Sequence, residues 1–308
     1  MLWRPLLYVW FGLLHALFGL HPLPYHVATE AAILVEAYLA YRLARRHGLG
    51  LGALVAGAVV YLHASTATPV LWTSAASSPL AASFALGAML SLGACHRRRC
   101  RLVVAAVLLA CGLLTREVVV VTPAVFVVLG IVGRRTRQQR QRVLLDSLVL
   151  WSVVAVYGAL RLAAGFNSAG PYRQGVGVHT LGNLGRLGEF ATDLAILGRA
   201  HVTFVVAVAF WATALALVVW ATLRRWPQAA AGLVWALIAV FPVIVPANQT
   251  MSDYYIDFAL PGLGLAAGAI IEHTALLGRR WLPGAIVAGA FTYLAVAGFV
   301  VGRLETVA

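Results

Sequence analysis

Long apolar stretches, separated by short polar ones, run the whole length of the chain. Ten of them approach the roughly 20 residues a helix needs to cross the hydrocarbon core of a bilayer: 27–43, 50–65, 79–95, 102–115, 117–133, 143–162, 202–222, 229–246, 256–276 and 282–302. An eleventh run, LLYVWFGLLHALFGL at 6–20, ends in HPLPYH, where two prolines break the pattern. Its Tyr8, Trp10 and Phe11, after Trp3, suit a helix lying at the membrane–water interface. The pattern predicts an all-α fold, a polytopic membrane helix bundle. About ten transmembrane helices and an N-terminal interfacial helix (within 1–25) form one transmembrane domain over 1–308.

Composition agrees. The chain is 62% hydrophobic and 11% charged, which excludes an ordinary soluble domain. Its net charge of +13 comes entirely from arginine, since there is no lysine. The arginines cluster in short segments between apolar runs, at 42–46, 97–101, 134–142, 224–225 and 279–280, so nucleic-acid binding is excluded as the source of the charge. These clusters hold 16 of the 23 basic residues and fall at every second boundary of the ten runs. Placing them all in the cytoplasm makes every span alternate without conflict. This leaves three outward segments: 66–78, 163–201 (the largest loop) and 247–255. Residues 1–25 then also face outward, without a signal peptide to carry them. Either 6–20 is itself a short span, or a helix precedes Met1 and 6–20 rests on the outer interface.

One hairpin breaks the apolar rule. In LLACGLLTREVVVVTPAVFVVLG, residues 108–130, the pair Arg116-Glu117 interrupts two apolar runs. Both flanking arginine clusters are cytoplasmic in this topology, so the chain must leave and return. The outward leg, 102–114, reaches only about 20 Å against a core of about 30 Å. The tip Thr115-Arg116-Glu117 therefore lies at membrane depth, where full charge is tolerated only inside protein or beside a water-filled cavity. Thr115 is expected to cap the returning helix, Glu117 to sit favourably in its first turn, and Pro123 to bend it. Arg116 and Glu117 either form part of a site or neutralise each other and their neighbours, and both readings stand.

Several short motifs, in order, resemble the GT-C fold membrane glycosyltransferases, in particular the protein O-mannosyltransferase and aminoarabinose-transferase branch. They are Arg4-Pro5-Leu6 with Tyr8, then Tyr25-His26 opening a helix that ends in Arg42 to Arg46. His63, Pro69, Trp72 and Ser74 come next, then Arg116, Glu117 and Pro123, and last Tyr254, Tyr255, Pro261 and Gly264. The resemblance covers most of 1–280. It implies a polyprenyl-phosphate-linked sugar as donor and transfer on the outer face of the membrane. Two departures matter. The family's catalytic carboxylate lies upstream of the R-P-L segment with which this chain begins, which implies a catalytic loop before Met1 or a chain lacking one. Where the family carries a basic residue and Asp after Trp-x-Ser, this chain has Ala75-Ala76-Ser77-Ser78.

Transfer from a lipid phosphate needs a base for the acceptor and a cation for the departing phosphate. Arginine suits the phosphate because its planar fork meets two oxygens. Arg116, Arg161, Arg173, Arg186 and Arg199 are the outward or intramembrane candidates, and Arg173 sits between glycines in GPYRQG. Of the outward carboxylates Glu117, Glu189, Asp193, Asp253 and Asp257, Glu117 and Asp253 are the catalytic candidates. Glu189 and Asp193 share a helix face at four-residue spacing and suit acid–base work or a solvated helix equally. Arg116, Arg173, His63, Tyr254, Tyr255 and His26 are the expected substrate-binding residues. Glu30 and Glu36 lie within the first clear span and must face the bundle interior, and His26 is placed to pair with Glu30 at i+4. No cofactor is required. A divalent metal is permitted, and no ligand set for one is assigned: Cys95, Cys100 and Cys111 have no metal or disulfide spacing. There is no Walker loop, no G-x-G-x-x-G after a strand and no H-E-x-x-H.

The expected partners are a polyprenyl-phosphate-linked sugar, an unidentified acceptor and the bilayer. The expected location is multi-pass in a cell membrane of bacterial inner-membrane type. Two other functions compete: a transporter or lipid-sugar flippase, with Glu30, Glu36 and Arg116-Glu117 lining a path, and a non-catalytic fragment.

Overall fold

The computed structural model describes residues 4–93, 97–132, 136–165, 180, 182–183, 204–244 and 253–276. Among these residues the fold is all-helical, with no strand. In chain order the α-helices are α1 Pro5–Phe18, α2 Pro22–Arg46, α3 Leu51–Leu62, α4 Ala67–Leu71, α5 Ser77–Ser91 and α6 Arg98–Thr115. After them come α7 Thr122–Val132, α8 Arg137–Ala163, α9 Phe204–Leu223, α10 Pro227–Ile244 and α11 Leu260–Leu276. Four 3₁₀ stretches, Ala64–Thr66, Thr73–Ala76, Glu117–Val121 and Asp253–Ala259, join them.

Three helical segments are long and apolar enough to cross a membrane: Arg137–Ala163, Pro227–Ile244 and Tyr255–Ala275. They coincide with the predicted runs 143–162, 229–246 and 256–276. The other predicted runs within the described residues are also helical, but α3, α5 and α7 have only 12, 15 and 11 residues. The tenth run, 282–302, lies outside the described residues.

The helix ends differ from the hydrophobic runs for local reasons. The prolines of HPLPYH do not break a helix. Pro22 is the first residue of α2, where its fixed φ and missing N–H cost nothing. The break comes earlier, at Gly19, whose φ of 62° an L side chain adopts only with strain. Tyr25 closes this turn by donating from its hydroxyl to the Gly19 carbonyl at 2.7 Å. The outward leg of the hairpin begins at Arg98 rather than 102, so α6 extends about 27 Å. Pro123 opens α7 at the change from 3₁₀ to α geometry instead of bending it. Segment 66–78 is no simple loop. Its 3₁₀ turns and α4 bury Thr66, Ala75, Ala76 and Ser77, leaving Leu71 and Trp72 exposed.

The core is held by small residues at helix crossings. α3 packs on α11 so closely that a Cβ on Gly52 would strike the Gly268 carbonyl, and one on Gly264 would meet the Ala56 carbonyl. Gly232 of α10 approaches Gly262 and Ala266 of α11 in the same way. Such approach lets backbones gain dispersion contact where lipid removes the hydrophobic drive between helices. α2 packs on α3 and α5, and α5 on α6. Leu144, Leu145, Leu148, Trp151, Val156, Leu160 and Leu162 of α8 stay exposed, a surface suited to an apolar medium.

Polar residues at the arginine-bearing end fasten helix termini. Glu272 of α11 accepts from the Gly50 and Gly52 N–H groups at 3.2 and 2.9 Å, satisfying two donors at the start of α3. Arg46 of α2 donates to the Leu90 carbonyl at the end of α5 at 2.8 Å. Arg98 of α6 donates to Asp146 of α8 through Nε and Nη2, at 3.1 and 2.8 Å.

Candidate functional site

The tip of the α6–α7 hairpin lies at the opposite end of the bundle from those contacts. α6 ends at Thr115, and the chain turns through extended backbone at Arg116 (φ −160°) into the 3₁₀ stretch Glu117–Val121. Thr115 does not cap the returning leg. Its hydroxyl donates back to the Cys111 carbonyl at 2.8 Å, within its own helix. The turn separates the two charged neighbours, and each finds a distant partner.

Arg116 points inward. It is 2% exposed, one of the largest fully buried side chains described. Its Nη1 donates to the Ser78 hydroxyl at the start of α5. Its guanidinium lies over the Tyr255 ring, 4.6 Å from the centroid. Tyr255 belongs to the 3₁₀ stretch before α11, so Arg116 joins three segments far apart in sequence. Ser78 lies in the stretch where the chain departs from the glycosyltransferase pattern, and it supplies a polar contact there.

Glu117 points to the other side. Its carboxylate accepts from Arg4 Nη2 at 3.2 Å and from Arg4 Nε at 3.3 Å. This two-point contact, across 113 residues, fastens the beginning of α1 to the hairpin tip. Tyr157 and Arg161 of α8 complete the cluster, the buried Tyr157 lying within electrostatic reach of Glu117, Arg161 and Arg4. Glu117 itself lies within electrostatic reach of two guanidinium groups, Arg4 and Arg116.

An apolar groove ends at this cluster. About 370 Å³ in volume, it runs between α6 and α8. Ala106, Val107, Ala110 and Leu114 form one wall, and Ser152, Val153, Val156, Tyr157 and Leu160 the other. The hydroxyl of Ser152 is turned back onto the Val149 carbonyl at 2.7 Å, so both walls present hydrocarbon. The groove can take an apolar chain, and the cluster at its end can take an anionic head.

The remaining predicted residues divide. His26 does not pair with Glu30: its Nδ1 donates to the Val70 carbonyl at 2.5 Å, tying α2 to α4. Glu30 lies instead within electrostatic reach of the Tyr61 hydroxyl of α3. His63 ends α3 and is buried. Its Nδ1 accepts the Ser65 N–H at 3.2 Å and lies 2.8 Å from the Ser65 hydroxyl. The turn it starts packs against Asp253–Ala259, which brings His63 to the same side of the bundle as Tyr255. The side chains of Asp253 and Tyr254 lie outside the described ones, as do Arg173, Arg186, Glu189, Asp193 and Arg199 altogether. Among the described residues no group of three or more His, Cys, Asp or Glu side chains is placed to hold a metal.

Three partners carried too little signal to be assigned from sequence. Arg4 was visible only as part of a motif, and nothing in it named Glu117. Ser78 and Tyr157 look like ordinary residues of apolar helices. The one usable signal was local: adjacent residues do not face each other, so Arg116 and Glu117 had to find partners elsewhere.

Fold and site together define a helical bundle with membrane-length apolar helices and a charged cluster at one end. Compared with known protein families, characterised proteins and solved structures, the chain matches none.

Proposed function

We propose that the chain is a multi-pass membrane glycosyltransferase-like protein that binds a polyprenyl-phosphate-linked sugar at the outer face of a bacterial-type inner membrane. The supporting observation is the groove between α6 and α8, apolar along its length and ending at Arg4, Arg161 and Tyr157 beside Glu117. A lipid phosphate has the same division into a hydrocarbon tail and an anionic head. Arg4, Arg161 and Glu117 all lie within electrostatic reach of Tyr157 and together carry one net positive charge for the phosphate, and the low-dielectric surroundings strengthen that attraction. The sugar and the outward orientation are supported by the order of the motifs and by the arginine clusters, which also support ten spans.

In this reading Arg161 and Arg4 meet the phosphate, and Tyr157 orients Arg161. Arg116 is a positioning residue: enclosed between Ser78 and Tyr255, it sets the shape of the tip rather than touching the head. Glu117, held by Arg4, tethers α1. The base for the acceptor is left unassigned.

The test is binding of a radiolabelled polyprenyl-phosphate-linked sugar to the full chain in liposomes. Arg161→Ala is expected to weaken binding roughly tenfold, the loss of one charge-assisted contact. Ala110→Trp, which fills the groove, is expected to abolish it, while free sugar phosphate competes poorly with the lipid. Binding unchanged in both variants would overturn the proposal.

A further inference from the structure

The end of the bundle that bears the arginines holds a second cavity, which shares no lining residue with the donor groove. It has a volume of about 220 Å³ and lies among the ends of α2, α5 and α7 and the start of α8. Leu43, Met89, Phe126 and Leu129 form its apolar floor, and Arg46, His47 and Gln139 its polar lining. Leu43, Met89 and Leu129 are buried, whereas Arg46 and Gln139 are exposed. The cavity therefore closes inward and opens at the end of the bundle. The guanidinium at its mouth is held in place. Arg46 Nη1 donates to the Leu90 carbonyl at 2.8 Å and reaches the Met89 carbonyl at 3.5 Å. Gly93 leaves the room for it, since a Cβ there would strike the Arg46 guanidinium. These carbonyls are neutral, so they orient the cation without cancelling its charge. A guanidinium carries five N–H donors in a fixed fork, a shape that matches two phosphate oxygens.

Two helices mark the level at which the cavity lies. On α8 the arginines end at Arg142, and the exposed leucines begin at Leu144. Gln139 stands about 7 Å along the axis from Leu144, comparable to the depth of the polar head-group layer of a bilayer. On α2, the exposed Tyr38 accepts a hydrogen bond from Arg42 Nη1 at 2.7 Å and sits 6.4 Å from the Tyr41 ring. Tyrosines gather at this height, where an apolar body and a polar tip meet two media, and Arg46 stands about two turns beyond Tyr38. The surrounding charge is positive. Arg42 and Arg45 of α2 and Arg137, Arg140 and Arg142 of α8 are exposed on the same helix ends. Among the described residues, the carboxylate that these helices carry at this end, Asp146, is paired with Arg98.

We propose that this cavity binds the phosphate head of an anionic phospholipid from the leaflet at the arginine-bearing end of the bundle. Arg46 meets two phosphate oxygens, Gln139 donates its side-chain amide, and the apolar floor takes the glycerol and the first carbons of the chains. Basic recesses between membrane helices on the arginine-rich side hold anionic heads in this way. Bound there, the lipid fastens the ends of four helices together and stabilises the folded chain, because it binds that state alone.

The full chain, purified in a neutral detergent, is titrated with phosphatidylglycerol, phosphatidylcholine and inorganic phosphate, and bound ligand is counted by native mass spectrometry. One phosphatidylglycerol per chain is expected to be retained. Phosphatidylcholine, whose ammonium cancels the phosphate charge, is expected to bind roughly tenfold more weakly. Arg46→Gln removes the fork, and Gln139→Trp fills the mouth from an exposed position. Each is expected to weaken phosphatidylglycerol binding roughly tenfold. Gln139→Trp is also expected to keep the wild-type unfolding temperature without lipid and to lose the rise that phosphatidylglycerol gives the wild type. Arg137→Gln removes the same charge from α8 outside the cavity and is expected to change the affinity by less than about twofold. Ala110→Trp, in the donor groove, is expected to leave phosphatidylglycerol binding unchanged, so this proposal and the glycosyltransferase reading fail separately. Three results would each overturn the proposal. An equal loss in Arg137→Gln means that the basic surface as a whole holds the lipid. Displacement of the lipid by millimolar inorganic phosphate means that the ligand is a soluble phosphate. Undiminished binding in Gln139→Trp means that the lipid lies elsewhere.

Discussion

Arginine does different work at the two ends of this bundle. At the basic end, Arg46 caps α5 and Arg98 meets Asp146, both from exposed positions. Water is close, the helices are regular, and each contact adds to an end already formed. At the opposite end, Arg116 is enclosed between Ser78 and Tyr255, and Arg4 reaches across 113 residues to Glu117. There the backbone is irregular, and the guanidinium groups hold together segments with no helix ladder between them. The same side chain is an accessory in one place and a structural joint in the other. Burial decides which, because a charge-assisted hydrogen bond strengthens as water leaves and an unpaired charge becomes intolerable.

The largest effect should come from Arg116→Ala. It removes a fully buried side chain and strands the Ser78 hydroxyl, and a loss of about 3 kcal/mol is expected. Arg46→Ala should cost less than about 1 kcal/mol. Denaturation of both variants in the same detergent checks this, and equal losses would break the comparison. Gly268→Ala is expected to cost about 2 kcal/mol, because its Cβ would drive α11 off the Gly52 carbonyl. Gly158→Ala on α8, with open space around it, should lose no stability, which separates crowding from propensity. A double-mutant cycle on Arg4 and Glu117 should return a coupling of about 1 kcal/mol, with the exchange of Arg4→Glu and Glu117→Arg recovering part of it. The smallest effect is expected for the pair at the basic end. Arg98→Ala should cost about 0.5 kcal/mol, and molar salt should erase the difference.

The positions of the helices were legible because apolar runs record burial or lipid contact directly. The ends were less so. α6 begins at Arg98 and carries two more arginines in its opening turns, Arg99 and Arg101, against the helix dipole. A reading by hydropathy therefore started it too late and made the leg too short. Pro22 looked like a breaker because the same residue that stops a helix from inside begins one from its first position. The charged tip itself stood out from its apolar surroundings. Its partners did not, since Arg4 with Glu117 and Arg116 with Ser78 depend on where whole helices come to rest. Glu30 shows the limit of spacing arguments: four residues from His26 on one face, it lies near Tyr61 of the next helix while His26 turns to the Val70 carbonyl.

The contact between Glu272 and the start of α3 bears on how the protein is made. The Gly50 and Gly52 amides wait for a carboxylate that lies 222 and 220 residues further along the chain. At about 5–20 residues per second, the ribosome delivers it roughly 10 to 40 seconds after α3 has been synthesised. Through that interval α3 has neither its cap nor the Gly268 surface on which it packs. Early nascent chains must therefore hold an incomplete helix pair, and the arrival of α11 becomes the event that closes this part of the fold. A nascent chain arrested before Glu272 should expose α3 to protease or thiol reagents, and one arrested well past it should not.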